Sequence, residues 1–156
     1  MMGTVPTNQK IDPTDLALLG ELQQDARVSL AELGRRVGLS APAVADRLRR
    51  LEDEGVITGY HADIDPRALG YDLSAVIRVQ PDARQLPKIA DIATDTPEVV
   101  HCERVTGDDC FVMKVHVRDV QHLEEVLDHF TPFGRTTTSI VQSSPFPARG
   151  ISLVEP

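Results

Sequence analysis

Two serine-capped helical segments separated only by Gly38-Leu39 constrain this chain more than any other feature. Ser29-Leu30-Ala31-Glu32 has the form of a capping box, with serine at the cap and glutamate three residues on. Leu30, Leu33 and Val37 continue as an apolar stripe, and Gly38 can take the left-handed conformation that ends a helix. Ser40 then caps another helix, whose Val44, Leu48 and Leu51 recur at i, i+4 and i+7 as one buried face. Two helices joined by so tight a glycine-containing turn are the helix-turn-helix signature.

A third helix precedes the pair. Asp12 can cap it, Pro13 suits its first turn, Asp15 sits favourably at the positive end of its dipole, and Ile11 can staple onto Leu16. Leu18, Leu19, Leu22 and Ala26 carry its periodicity, with an end expected near Ala26-Arg27. In a helix-turn-helix the second helix of the pair enters the major groove, its N-terminal residues nearest the bases. That makes Ser40, Pro42, Ala43, Arg47, Arg49 and Arg50 the candidate DNA-binding residues. Small side chains permit close approach, and Arg47 and Arg50 suit phosphates or guanine edges, with Arg49 on the flank. Val56-Ile57-Thr58-Gly59-Tyr60-His61 is short, β-branched and extended, as a wing would be. A plain three-helix bundle with a solvated arginine face is the alternative.

The net charge of −8 argues at first against nucleic acid, but its distribution matters more. Residues 1–60 hold seven basic and nine acidic groups, whereas residues 34–51 hold five arginines against Asp46 alone. A local cationic patch can bind phosphate on an anionic body, because screening acts over about 10 Å. Met1 to Gln9 has neither a basic flank nor an apolar stretch, so no signal peptide is expected, and no apolar run is long enough to span a bilayer. The expectation is a soluble, cytoplasmic protein. Cys102 and Cys110 read as free thiols, and the five histidines show no metal spacing. No catalytic motif or phosphate loop is present, so no enzyme activity, cofactor or metal is expected.

Pro66 and Gly70 punctuate residues 61–71, which read as a linker between residues 1–60 and a second domain, 72–156. In that domain strands at Leu73–Val79, Val99–Val105, Cys110–Val117 and Arg135–Ser143 alternate with helices at Gln85–Thr94 and Val120–Phe130. The order βαββαβ is the ferredoxin-like arrangement, which makes the whole chain α+β. Its strands look apolar on both parities, with Val76 and Val112 opposing the main rows. An apolar face left bare by the helices implies a cover, most simply a second copy in a homodimer.

The chain resembles the Lrp/AsnC, or feast/famine, transcriptional regulators. The resemblance rests on Leu30-Ala31-Glu32-Leu33, Val37-Gly38-Leu39-Ser40, Arg47-Leu48-Arg49-Arg50-Leu51-Glu52, Gly55-Val56-Ile57-Thr58-Gly59-Tyr60 and Val105-Thr106-Gly107-Asp108. It implies a winged head that binds double-stranded DNA and a sheet domain that dimerises, with dimers assembling to octamers. It also implies a small-molecule effector, an amino acid or related metabolite, bound at Gly107, Asp108, Asp109, Cys110, Thr137, Thr138 and Ser139. Relatives place an aromatic and then an aspartate where this chain has Asp109 and Cys110. A thiol does not replace a carboxylate for an ammonium group. Either Asp109 supplies the charge from a shifted position, or the effector is not a standard amino acid. Some haem-pathway decarboxylases share this two-domain resemblance; a tetrapyrrole spectrum against DNA binding separates them.

Overall fold

The computed structural model describes residues 11–153; the Met1–Gln9 stretch, read above as lacking a signal peptide, lies outside them. The chain divides into two units, one running to Ala62 and including the tail from Pro147, the other Asp63–Phe146.

The first unit holds α1 (Pro13–Gln24), α2 (Leu30–Val37) and α3 (Ala41–Asp53). Asp12 and Asp15 cap α1 reciprocally: the Asp15 amide donates to Asp12 Oδ1 at 2.8 Å, and the Asp12 amide donates to Asp15 Oδ2 at 3.0 Å. This helix stops at Gln24, short of the expected Ala26-Arg27, because Asp25 accepts from the Arg27 amide at 2.8 Å and forms an Asx turn. Ser29 Oγ accepts from the Glu32 amide at 3.2 Å, while the Glu32 carboxylate turns to Arg35 and Arg36 rather than back to the cap. Gly38 closes α2 at φ 72°, and Ser40 Oγ accepts from the Ala43 amide at 3.4 Å to open α3.

Leu18, Leu33, Val44, Leu48 and Leu51 form the core of this unit, with Leu19, Leu22, Val37, Leu39, Val56 and Ile57 packed around them. Gly34 is buried, and the Leu39 carbonyl occupies the space its Cβ would take. The turn therefore closes directly on the α2 backbone, which is how α3 is brought across α2. The Val56 and Ile57 amides both donate to the Leu51 carbonyl, at 2.9 and 3.0 Å, and fold that apolar pair back onto the core. The wing expected at residues 56–61 bends at Val56 and Ile57 and continues without a strand ladder.

Residues 61–71, expected as a hinge or short strand, contain a 3-10 turn at Pro66–Leu69. Asp65 accepts from the Arg67 amide at 3.0 Å to start it.

The second unit comprises β1 (Leu73–Pro81), α4 (Leu86–Asp95), β2 (Val99–Arg104), β3 (Phe111–Val117), α5 (Val120–Asp128) and β4 (Gly134–Ile140). The three strand ladders are antiparallel in the order β2-β3-β1-β4, the ferredoxin-like topology. Ala75, Ile77 and Val79 join Phe111, Met113, Val115 and Val117 on one sheet face, covered by Ile89 and Ala93 of α4 and Leu123 and Val126 of α5. The other face corrects the sequence reading. Val76 and Val112 are apolar there, and Val100 at the β2 bulge lies near His116, but Ser74, Arg78, Gln80, His101, Glu103, Lys114, His116, Thr137 and Ser139 are polar. The face is mixed, not a bare hydrophobic surface.

The tail departs from the expected 72–156 unit. From Pro147 it groups with the helical unit, where Gly150 lies against the Gln23 side chain and Leu153 reaches Gly20.

Helix propensity alone favours alanine over glycine by about 1 kcal/mol. At Gly34 the Leu39 carbonyl blocks that gain, so Gly34→Ala should destabilise the helical unit by about 1–3 kcal/mol. Denaturant unfolding of the full chain checks this; a stabilised variant would show that the turn yields freely.

Candidate functional site

Four of the five arginines of residues 34–51 meet carboxylates from outside that window, and Arg49 pairs with Asp46 inside it. Arg47 Nη1 donates to Asp12 Oδ2 at 2.6 Å and to Asp15 Oδ1 at 2.9 Å. Arg50 Nη2 donates to Asp15 Oδ2 at 2.7 Å, and its Nη1 to Glu54 Oε2 at 3.1 Å. Asp15 has 0% of its side chain exposed, whereas the two arginines remain 32% and 37% exposed. Two acids three residues apart, the cap of α1 and a residue of its first turn, thus meet two arginines three residues apart on α3. The matching spacing was present in the sequence and is the signal that could have revealed the network.

The electrostatics follow the geometry. The Arg47 hydrogen bond holds the Asp12 carboxyl below its usual range. Burial alone would raise Asp15, but hydrogen bonds from Arg50, the Asp12 amide and Arg47 outweigh it and leave its pKa lowered. On α2, Glu32 is pulled down to about 2 by Arg35 and then Arg36. Arg36 also reaches Glu21 of α1 at 2.6 Å.

Among the DNA-binding candidates, Ser40, Pro42 and Arg49 are exposed, and Ala43, Arg47 and Arg50 are half-buried. Pro42, Asp46, Arg49 and Asp53 form the outward stripe of α3 at i, i+4, i+7 and i+11. Arg49 is central there, not on the flank; among the described residues it pairs with Asp46, at 3.5 Å, with 69% of its side chain exposed. Arg47 and Arg50 take the flanking position, turned to α1. Tyr60, at the end of the wing, donates its hydroxyl to Glu52 of α3 at 2.7 Å. Burial, then Glu52, raises this phenol to about 12.

In the sheet unit the candidate effector residues divide. Gly107 turns between β2 and β3 at φ 105°, a conformation that favours glycine. The Val105 amide donates to the Cys110 carbonyl at 2.8 Å to close the turn. Asp109 and Ser139 are brought together by a residue the sequence reading missed, Arg78 of β1: its Nε lies 3.6 Å from Asp109 Oδ2, and its Nη2 donates to Ser139 Oγ at 3.4 Å. Thr137 pairs with Arg78 and shares its sheet face. Thr138 faces the helix-covered side opposite Ile77, and Cys110 packs against the apolar core. Asp108 is exposed on the turn. The signal for Arg78 was its parity, opposite to Ile77 and Val79. Among the described residues no His, Cys, Asp and Glu cluster could hold a metal ion, and no helix is long and apolar enough to cross a membrane.

A capped helix-turn-helix head joined to a ferredoxin-like sheet unit defines a DNA-binding transcriptional regulator with a ligand-binding domain. Residues 11–58 match the winged helix-turn-helix DNA-binding family, and residues 74–151 match the Lrp/AsnC ligand binding domain. The HTH-type transcriptional regulator YezC of Bacillus subtilis strain 168 is 41% identical over 86% of this chain and 95% of its own length. The structure of B. subtilis LrpC superposes with a TM-score of 0.85 at 28% identity, covering 90% of this chain and 100% of LrpC. The feast or famine regulatory protein Rv3291c of M. tuberculosis, complexed with L-methionine, gives a TM-score of 0.81 at 34% identity, covering 90% of this chain and 97% of that one. The chain belongs to the Lrp/AsnC family of transcriptional regulators, a family of DNA-binding proteins rather than enzymes.

Because Asp12 and Asp15 titrate lower folded than unfolded, the folded head binds fewer protons near pH 4. Their contribution is complete above the unfolded carboxylate range and is lost as pH falls through the lower folded values. Asp15→Asn should cost about 2–3 kcal/mol at pH 7, below the full buried-pair range because the arginines stay partly hydrated. It should also flatten the fall in stability between pH 4 and pH 3. Urea unfolding across that range is the measurement; an unchanged acid limb would discount the network.

Proposed function

We propose that a homodimer, assembling further to an octamer, presents pairs of these heads to half-sites of a cytoplasmic promoter and that an amino acid bound beside the β2–β3 turn changes its occupancy. The first turn of α3, with Ser40, Pro42 and Ala43, approaches base edges, and Arg49 meets the backbone. Arg47 and Arg50 act from their ion pairs. They fix the pitch of α3 against α1, and either can exchange a carboxylate for a phosphate on binding. The observation that carries this reading is the exposed Pro42-to-Arg49 stripe on a helix capped by Ser40 and backed by the buried row Val44, Leu48 and Leu51.

Self-association through the open sheet face is supported by half-buried Val76 and Val112 at its centre. Two heads double the phosphate contacts and match a palindromic site. The effector site takes Gly107, Asp108, Asp109, Thr137 and Ser139 on or beside that face. Thr138 and Cys110 support it from behind. The L-methionine complex of Rv3291c supports an amino acid as the ligand class. Binding that favours one assembly over another shifts promoter occupancy by its differential affinity for the two.

A duplex selected in vitro from a random pool tests the head. By fluorescence anisotropy across a salt series, Arg49→Ala should weaken binding and lower the salt slope by about one, with head stability unchanged. Arg47→Ala should weaken binding and also destabilise the head. Unaltered affinity and slope in Arg49→Ala would remove this stripe from the interface.

A further inference from the structure

We infer that Tyr60 is a positioning residue for DNA binding: by holding Glu52 through a hydrogen bond, it keeps that carboxylate from closing on Arg49 and leaves Arg49 open to a phosphate. The inference rests on the reading above that puts the outward stripe of α3 on the duplex, and it gives the wing a part in that contact.

Helical spacing surrounds Arg49 with acids. Asp46 lies three residues before it, Glu52 three after and Asp53 four after, each within about one turn of α3. Side chains so spaced meet on the helix surface, and elsewhere in the head they do close. Arg35 binds Glu32 at 2.6 Å, and on α3 itself Arg50 binds Glu54, four residues on, at 3.1 Å. Among the described residues Arg49 pairs with Asp46 alone, at 3.5 Å, longer than the roughly 2.7–2.9 Å of a good charge-assisted hydrogen bond. Asp53 is a methylene shorter than a glutamate and is the last residue of the helix. Glu52 has the reach, and its carboxylate is drawn elsewhere: Tyr60 donates its hydroxyl to Glu52 Oε1 at 2.7 Å.

The backbone brings Tyr60 to this place. The Gly55 amide donates to the Glu52 carbonyl at 2.9 Å, and the Val56 and Ile57 amides both return to the Leu51 carbonyl. The chain after α3 is thereby held against its last turn. The Tyr60 ring lines an apolar cleft with Leu19, Leu22, Val56 and Ile57, which anchors the ring and leaves the hydroxyl to reach Glu52. The phenol, pushed up to about 12, stays protonated and therefore a donor near neutral pH. A neutral hydroxyl satisfies the carboxylate without bringing a second cation into competition with Arg49.

Fluorescence anisotropy of the full chain on the selected duplex tests this as a double-mutant cycle. Tyr60→Phe keeps the ring and removes the donor; it should weaken binding by about two- to threefold, the worth of one exposed helix ion pair. With Arg49→Ala already in place, Tyr60→Phe should change nothing further, because no guanidinium is left for Glu52 to capture. With Glu52→Gln in place it should also change nothing, because a neutral amide does not hold the guanidinium. Unchanged binding in Tyr60→Phe alone would overturn the inference. So would equal weakening with and without Arg49, which would mark a direct contact of the hydroxyl. A wing merely loosened by Tyr60→Phe would weaken binding in the Glu52→Gln background too, and that result also overturns it while sparing the stripe. If instead Arg49→Ala by itself leaves affinity and salt slope unchanged, the stripe is off the duplex and the reading beneath the inference fails with it.

Discussion

A carboxylate without exposed surface holds the reading head in shape. Asp15 caps α1, accepts from Arg47 and Arg50 of α3, and sits beside the leucine core rather than on the surface. The nonpolar contacts of Leu18, Leu33, Val44 and Leu51 bring the three helices together, but such contacts are not directional. The ion-paired fork is directional: it fixes the rotation of α3 about its axis and so decides which stripe faces outward. Leaving either side unpartnered would strand a charge in a poorly hydrated place. That is why the arrangement specifies geometry as well as adding stability.

This alters how a chain of charge −8 meets an anionic duplex. The five arginines near the turn do not form a bare cationic patch, since Glu21, Glu32, Asp12, Asp15, Asp46 and Glu54 answer them. Arg49 and Arg35 have the most solvent around them. A head with its charge so nearly balanced gains little from nonspecific attraction, which favours discrimination over raw affinity. In the reading proposed above, phosphate contact is an exchange of partners with a correspondingly small net gain.

Much of the fold could be read from the residues. The serine caps, Gly38 and the leucine periodicity located α2 and α3 to within a residue, and the alternation of strands and helices gave the ferredoxin-like order. What the sequence hid was tertiary. Whether Arg47 meets phosphate or Asp12 depends on a partner 35 residues away, for which the matched three-residue spacing of the two pairs was the one sequence signal. The open face seemed apolar because Val76 and Val112 were counted without Arg78, Lys114 and His116 beside them. Arg78 itself was missed because motif reading followed the Gly107 turn along the chain, whereas its partners converge across three strands. The tail from Pro147 has no periodicity to announce its return to α1.

Backbone hydrogen exchange of the full chain, with and without a selected duplex, tests most directly whether the Asp15-clamped α3 is the reading element. The expected result is slowed exchange at the Ala41 and Ala43 amides in the first turn of α3, ahead of the Val44 amide that donates to the Ser40 carbonyl, with the α4 and α5 amides unaffected by DNA alone. Protection confined to the sheet unit, with α3 exchanging as it does in free protein, would contradict it.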